Sequence, residues 1–143
     1  EAETLMADLM APSHPKQNDT LAKFGRLMSK TDSFCPLPET TRNAGEFQAH
    51  IYRSVWPEAE AMRQNGELLK MGKKIRCPVV AIHGDYDPHS YLGVERPLSA
   101  IIKDFRFILL KDCGHEPWKE RWAREKLFEI LQAELERNEY FGQ

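Results

Sequence analysis

Two stretches of the sequence, each an apolar run that ends in a polar turn, most constrain the fold. The runs occupy residues 77–82 and 105–110, and a short polar segment containing a glycine follows each of them. Continuous apolar runs of this length are typical of strands buried on both faces, as strands in parallel sheets are. We therefore predict two parallel strands whose following loops emerge at the same edge of one sheet.

The two polar segments carry a carboxylate and an imidazole. Asp87 lies in His83-Gly-Asp-Tyr-Asp-Pro-His89, and His115 lies in Cys113-Gly-His-Glu-Pro-Trp118. The glycine in each segment is predicted to allow a sharp turn. His115 follows Asp87 by 28 residues, which leaves room for a turn, a helix and a returning strand. A carboxylate that binds an imidazole fixes its tautomer and stabilises its protonated form, so the pair predicts proton transfer at this edge.

These segments resemble the C-terminal part of an α/β-hydrolase. The resemblance covers residues 76–137 and includes both apolar runs and the turns that follow them. In that family the catalytic triad runs serine, acid, histidine along the chain. The resemblance implies that Asp87, rather than Asp85, is the triad acid and that His115 is the triad base. It also implies hydrolysis of an ester, amide or thioester of a small acyl substrate, with no metal or organic cofactor.

The nucleophile of that family is missing from this sequence. It occupies a Gly-x-Ser-x-Gly turn after an earlier strand. None of the eight glycines has Ser, Cys or Asp two residues later. We therefore expect the chain to be inactive alone and to be a fragment, or to work with a separate chain that supplies the serine. The first residue, Glu1 rather than Met, also favours a processed product or a fragment.

The pattern of the chain changes near residue 74. Apolar spacing before it predicts helices, with no obvious strand, whereas strands and helices alternate after it. We predict a helical cap-like segment over residues 1–74 and the C-terminal βαβα part of a doubly wound α/β-hydrolase sheet over residues 75–143. The predicted helices cover residues 2–10, 46–53, 58–71, 97–102 and 119–137, and a further helix begins at a cap formed by Asn18 or Asp19. Interruptions are predicted at Pro57 and Gly66. The predicted strands cover residues 77–82 and 106–110, and a loop covers residues 30–42.

Other interpretations of the polar residues remain open. His83, Asp85, Asp87 and His89 alternate, so in an extended segment all four could bind a divalent metal. Cys113, two residues before His115, could be a nucleophile, although a small buried thiol is the commoner role for such a residue. The whole chain could also be a non-catalytic α/β interaction module that associates through its unpaired strand, as a homo-oligomer or with another protein.

Composition narrows the class of protein. A formal charge of -2 argues against nucleic-acid binding, which requires a basic surplus. Apolar residues make up 41% of the chain and charged residues 29%, which is typical of a globular domain, and no stretch approaches the about 20 apolar residues of a membrane helix. Three widely spaced cysteines with no Cys-x-x-Cys pair argue against a disulfide framework or a zinc site and favour a cytoplasmic protein.

Overall fold

The computed structural model describes residues 1–11, 16–38 and 47–139. The described residues form two compact units. The helical unit takes the described residues of Glu1–Thr31 and Glu39–Arg76, and the α/β unit takes those of Asp32–Pro38 and Cys77–Gln143. The boundary at residue 76 lies close to the predicted change at residue 74. The short segment Asp32–Pro38, which the sequence pattern placed with the helices, belongs to the α/β unit.

The helical unit contains four α-helices: α1 (Ala2–Met10), α2 (Gln17–Thr31), α3 (Ala49–Gln64) and α4 (Glu67–Met71), followed by a short 3-10 helix at Gly72–Lys74. The first two pack together, and Leu9 of α1 is completely buried. Helix α2 already begins at Gln17, so Asn18 is not its cap. The Asn18 side chain instead accepts a hydrogen bond of 2.9 Å from the first amide of α3, Ala49.

One of the two predicted breaks in the long helical stretch is real. Gly66 has a φ of 77°, in the left-handed region that suits glycine, and it separates α3 from α4. The interruption predicted at Pro57 is wrong, because α3 continues through that residue. A proline removes only one intrahelical hydrogen bond, and a helix of 16 residues retains enough others to continue. The predicted loop at residues 39–42 and the helix start at Glu46 lie outside the described residues.

The α/β unit is a parallel strand pair with helices. Strand β1 (Val79–Gly84) pairs in parallel with β2 (Phe105–Leu110), from Val79 opposite Phe105 to Gly84 opposite Leu110. Helix α5 (Tyr91–Ser99) connects the two strands, and a short 3-10 helix (Pro117–Lys119) and α6 (Arg124–Glu139) follow them. The observed class is therefore mixed α/β with a two-stranded parallel sheet.

The core of this unit lies between the sheet and α6. Its buried members are Leu110, Cys113, Ala123 and Leu127, with Ile82, Ile108 and Ile130 packed against them. The prediction of strands buried on both faces is wrong, since most residues of β1 and β2 are half-buried. Helix α6 carries apolar side chains in two environments: Leu127 and Ile130 contact the core, whereas Phe128, Leu131 and Leu135 are exposed.

No helix among the described residues combines the length and the apolar composition that a membrane crossing requires.

Candidate functional site

The loops that follow the two strands are joined by backbone hydrogen bonds. We call residues 85–90 the acid loop and residues 111–116 the histidine loop. Beyond the last strand pair, the amide of Asp85 donates to the carbonyl of Leu110, and the amide of Tyr86 donates to the carbonyl of Cys113, each at 2.9 Å. The Asp85 carboxylate also accepts the Cys113 amide at 3.2 Å. The parallel ladder thus continues into both loops and holds them side by side.

This arrangement brings Asp87 and His115 together. Nδ1 of His115 lies 2.8 Å from Oδ2 of Asp87. An ionised carboxylate can only accept, so Nδ1 carries the hydrogen and Nε2 carries the lone pair. The Asp87 side chain is 5% exposed, whereas that of His115 is 52% exposed. The pair is therefore a buried carboxylate that orients a solvent-accessible imidazole, as in the acid and base of a catalytic triad.

Two other histidines surround the same carboxylate. His89 donates to Oδ1 of Asp87 from its backbone amide at 2.9 Å and from Nδ1 at 2.8 Å. Nε2 of His83 lies 3.6 Å from Oδ2. Burial opposes ionisation of Asp87, but the hydrogen bonds from the His89 amide and from the His115 and His89 side chains outweigh it. They hold the pKa of Asp87 below its usual value, so the carboxylate is charged near neutral pH.

The four alternating residues of the metal hypothesis do not converge. The Asp85 carboxylate accepts a hydrogen bond from the Cys113 amide, and Nδ1 of His83 donates to the carbonyl of Gly84 at 2.8 Å. The turn therefore breaks the alternation that the sequence suggested. A different set, Asp87, His89 and His115, offers ligand atoms that lie within 4.8 Å of one another.

The glycines of the two loops permit close backbone approach. A Cβ on Gly84 would lie 2.1 Å from the carbonyl oxygen of Cys113, and a Cβ on Gly114 would lie 2.1 Å from the carbonyl oxygen of Asp32. Neither glycine has a positive φ, and the left-handed residue of the histidine loop is Asp112, with a φ of 52°. The sequence correctly singled out both glycines, but the reason is proximity rather than a special backbone conformation.

The buried carboxylate of Glu120 connects the histidine loop to the segment Asp32–Pro38 by hydrogen bonds. Glu120 is 1% exposed and accepts three backbone hydrogen bonds, from Phe34 and Cys35 at 2.7 Å and from Gly114 at 3.0 Å. In addition, the His115 amide donates to the carbonyl of Asp32 at 2.8 Å. The consecutive amides of Gly114 and His115 are therefore both fixed, one by the Glu120 carboxylate and one by the carbonyl of Asp32.

Replacement of Glu120 by Gln should destabilise the α/β unit by about 3 kcal/mol. One carboxylate oxygen would become an NH2 group, and the backbone N–H that now donates to that oxygen would face a second donor. Urea unfolding followed by Trp fluorescence in a Trp56→Phe background, where Trp118 and Trp122 report on this unit, measures the effect. The control Glu129→Gln removes an exposed carboxylate that pairs with Lys126, and we expect a change within about 0.5 kcal/mol. Equal effects of the two substitutions would contradict a structural role for Glu120.

Cys113 is a packed thiol rather than a nucleophile. It is completely buried in the core. Burial, together with the nearby carboxylates of Glu120, Asp85 and Asp87, raises the pKa of Cys113 to about 12. Alkylation requires the thiolate. The alternative of a Cys113–His115 nucleophile pair is therefore not supported.

We expect iodoacetamide at pH values near 9.0, the usual pKa of a cysteine, to modify the exposed Cys77 while Cys113 stays unmodified. Peptide mass spectrometry after timed quenching would show this difference. In urea all three thiols should react at similar rates, which controls for intrinsic reactivity. Labelling of Cys113 at the rate of Cys77 in the folded chain would show that the loop opens readily.

Sequence reasoning missed three contributors to this site. The sequence analysis did not predict that His89 donates to Asp87, although an aspartate two residues earlier, across a proline, commonly accepts from the following backbone. Glu120 and the segment Asp32–Pro38 carried no local signal, because their partners lie 85 or 86 residues away in the chain.

No protein-family model matches the chain, and neither the curated proteins nor the solved structures contain a match to it. The resemblance to α/β-hydrolases therefore rests on the residues of the two loops and on their geometry.

Proposed function

We propose that this chain carries the acid and the base of a serine-hydrolase triad, with Asp87 as acid and His115 as base. The observation that carries the proposal is the 2.8 Å contact between them, made by loops that follow neighbouring parallel strands. Ligand sites in α/β sheets lie at this edge. The serine nucleophile would come from a polypeptide segment outside these 143 residues. The substrate would be a small ester, amide or thioester.

The chemistry assigns each group one task. Nε2 of His115 takes the proton of the serine hydroxyl as Oγ attacks the acyl carbon, and Asp87 stabilises the resulting imidazolium. The imidazolium then gives that proton to the leaving group as its bond to the acyl carbon breaks. A water molecule repeats the sequence on the acyl-enzyme: its proton goes to Nε2 and returns to Oγ when the acid product leaves.

Within this proposal, the two strands are the last two of a doubly wound sheet. Among the described residues each strand has one paired edge and one edge without a strand partner. An unpaired edge offers a row of backbone donors and acceptors to a further strand. The strands that carry the nucleophile would pair there, and the helical unit would be part of a cap segment.

Complementation tests the proposal. The sequence encoded upstream of Glu1 is expressed as a separate chain and mixed with this one, and turnover of a short p-nitrophenyl ester is measured. We expect turnover from the mixture and none above background from either chain alone. An active-site phosphonate should label a serine of the added chain. An upstream sequence without a Gly-x-Ser-x-Gly turn, or a mixture that binds without turnover, would contradict the proposal.

A second candidate function, a non-catalytic interaction module, is favoured by the exposed apolar residues of the α/β unit. Phe128, Leu131 and Leu135 of α6 face outward, and Leu109 in β2 is also exposed. Exposed apolar residues and an unpaired strand edge are both typical of protein-binding surfaces. Sedimentation of the chain alone separates the two candidates: a stable oligomer, together with inactivity in every mixture, would support the module.

A further inference from the structure

We propose that Asp87, His89 and His115 form a binding site for one zinc ion, and that zinc bound there removes His115 from proton transfer. The three side chains offer one carboxylate oxygen and two imidazole nitrogens, all within 4.8 Å of one another. Two imidazoles and one carboxylate form a donor set that zinc accepts in proteins.

The distances are close to those that a metal requires. Nδ1 of His89 lies 2.8 Å from Oδ1 of Asp87, and Nδ1 of His115 lies 2.8 Å from Oδ2. Zinc bonds to nitrogen and oxygen of about 2.0–2.1 Å give a tetrahedral ligand separation of roughly 3.3 Å. The two contacts go to different oxygens of Asp87, and the three ligand atoms lie within 4.8 Å of one another, so the two rings would turn to bring their nitrogens onto one ion, with each imidazole hydrogen shifting to Nε2.

The cluster combines one fixed ligand with two adjustable ones. Asp87 is buried, and its carboxylate is held by the backbone amide of His89 at 2.9 Å, a contact that metal binding can retain. The side chains of His89 and His115 are 68% and 52% exposed, so their rings can turn toward an ion. Their exposure also leaves room for a water molecule as the fourth ligand.

The carboxylate provides the charge that attracts the ion. Metal ligands bind in their deprotonated forms, and this cluster offers one carboxylate and two imidazoles. Magnesium and calcium prefer sites made entirely of oxygen. We therefore expect the site to select zinc over either of these ions.

The consequence for catalysis rests on the proposed function, whereas zinc binding itself does not. In the zinc-free site, Nδ1 of His115 donates its hydrogen to Asp87 and the lone pair of Nε2 is free. Zinc bound to Nδ1 replaces that hydrogen bond. The Nε2 atom then carries a hydrogen and cannot accept the serine proton. Zinc would thus be a reversible inhibitor of the assembled hydrolase.

Calorimetric titration of the full chain, free of purification tag and stripped with EDTA before dialysis, tests the site. With zinc chloride we expect one ion bound per chain, and with magnesium chloride no binding. His89→Gln should weaken zinc binding at least tenfold. His50→Gln removes an exposed histidine of the helical unit and should leave binding unchanged.

Circular dichroism of His89→Gln checks that the variant is folded. The NMR signals of the His115 ring C–H protons during the titration provide a second measurement. These signals should shift in proportion to bound zinc. Absence of binding at millimolar zinc, or binding that His50→Gln abolishes and His89→Gln does not, would overturn the proposal. Zinc binding without turnover in the complementation mixture would leave the metal site standing and remove only the hydrolase.

Discussion

Replacement of Asp87 by Asn in the complemented hydrolase should lower kcat by about 10⁴-fold, as loss of the triad acid typically does. The Asp87 carboxylate accepts from the His89 amide and imidazole on one oxygen and from His115 on the other. An amide has only one oxygen, and the His89 backbone N–H, which can only donate, requires it, so the amide N–H group would face His115. Either His115 adopts the wrong tautomer or it loses its orientation, and in both cases Nε2 no longer accepts the serine proton.

Turnover of a p-nitrophenyl ester at saturating substrate measures this effect, with His115→Ala as a second variant expected to reduce kcat to a similar extent. The matched controls are His50→Gln and Glu129→Gln, which alter exposed side chains of the helical and the α/β unit and should retain full kcat. Thermal unfolding distinguishes lost chemistry from lost structure. If folded Asp87→Asn protein kept more than a tenth of the original kcat, Asp87 would not be the triad acid.

Replacement of Gly84 by Ala should destabilise the α/β unit by about 3 kcal/mol or more, because overpacking against rigid groups costs amounts of this size. The added Cβ would lie 2.1 Å from the carbonyl oxygen of Cys113 and 2.4 Å from that of Gly114. Both contacts are with backbone, which cannot turn aside as a flexible side chain can. The acid loop and the histidine loop would have to separate, and with them Asp87 and His115.

Urea unfolding in the Trp56→Phe background measures this prediction as well. Gly93→Ala is the matched control, because its Cβ would come no closer than 3.9 Å to a neighbour, Ser90. Gly93 lies inside α5, where alanine favours the helix by about 0.5–1 kcal/mol. We therefore expect opposite signs for the two substitutions. A Gly84→Ala protein as stable as the original would show that the loops are not as close as the structure has them.

The sequence predicted the framework of the site well. Strand β2 was predicted within one residue of its observed start, and β1 was displaced by two residues at each end. The parallel pairing and the convergence of Asp87 and His115 followed from the two apolar runs and their spacing. These features depend on local composition and on a general rule for parallel strands, so a single sequence contains them.

Predictions that treated prolines and glycines as local signals were less successful. Pro57 and Pro97 both lie inside helices, and α5 begins at Tyr91, well before the predicted residue 97. Gly84 and Gly114 were identified correctly, but the reason is the backbone that approaches them from another part of the chain.

By itself, the sequence determined that a carboxylate and an imidazole meet at the end of a parallel strand pair. Only the tertiary structure decided what surrounds and fixes them: a second imidazole on the far oxygen of Asp87, and Glu120 joining the Phe34, Cys35 and Gly114 amides. The physical reason is the distance along the chain over which each effect acts. Periodicity and turn residues act over a few positions, whereas a buried carboxylate is stabilised by whichever amides the finished fold brings to it.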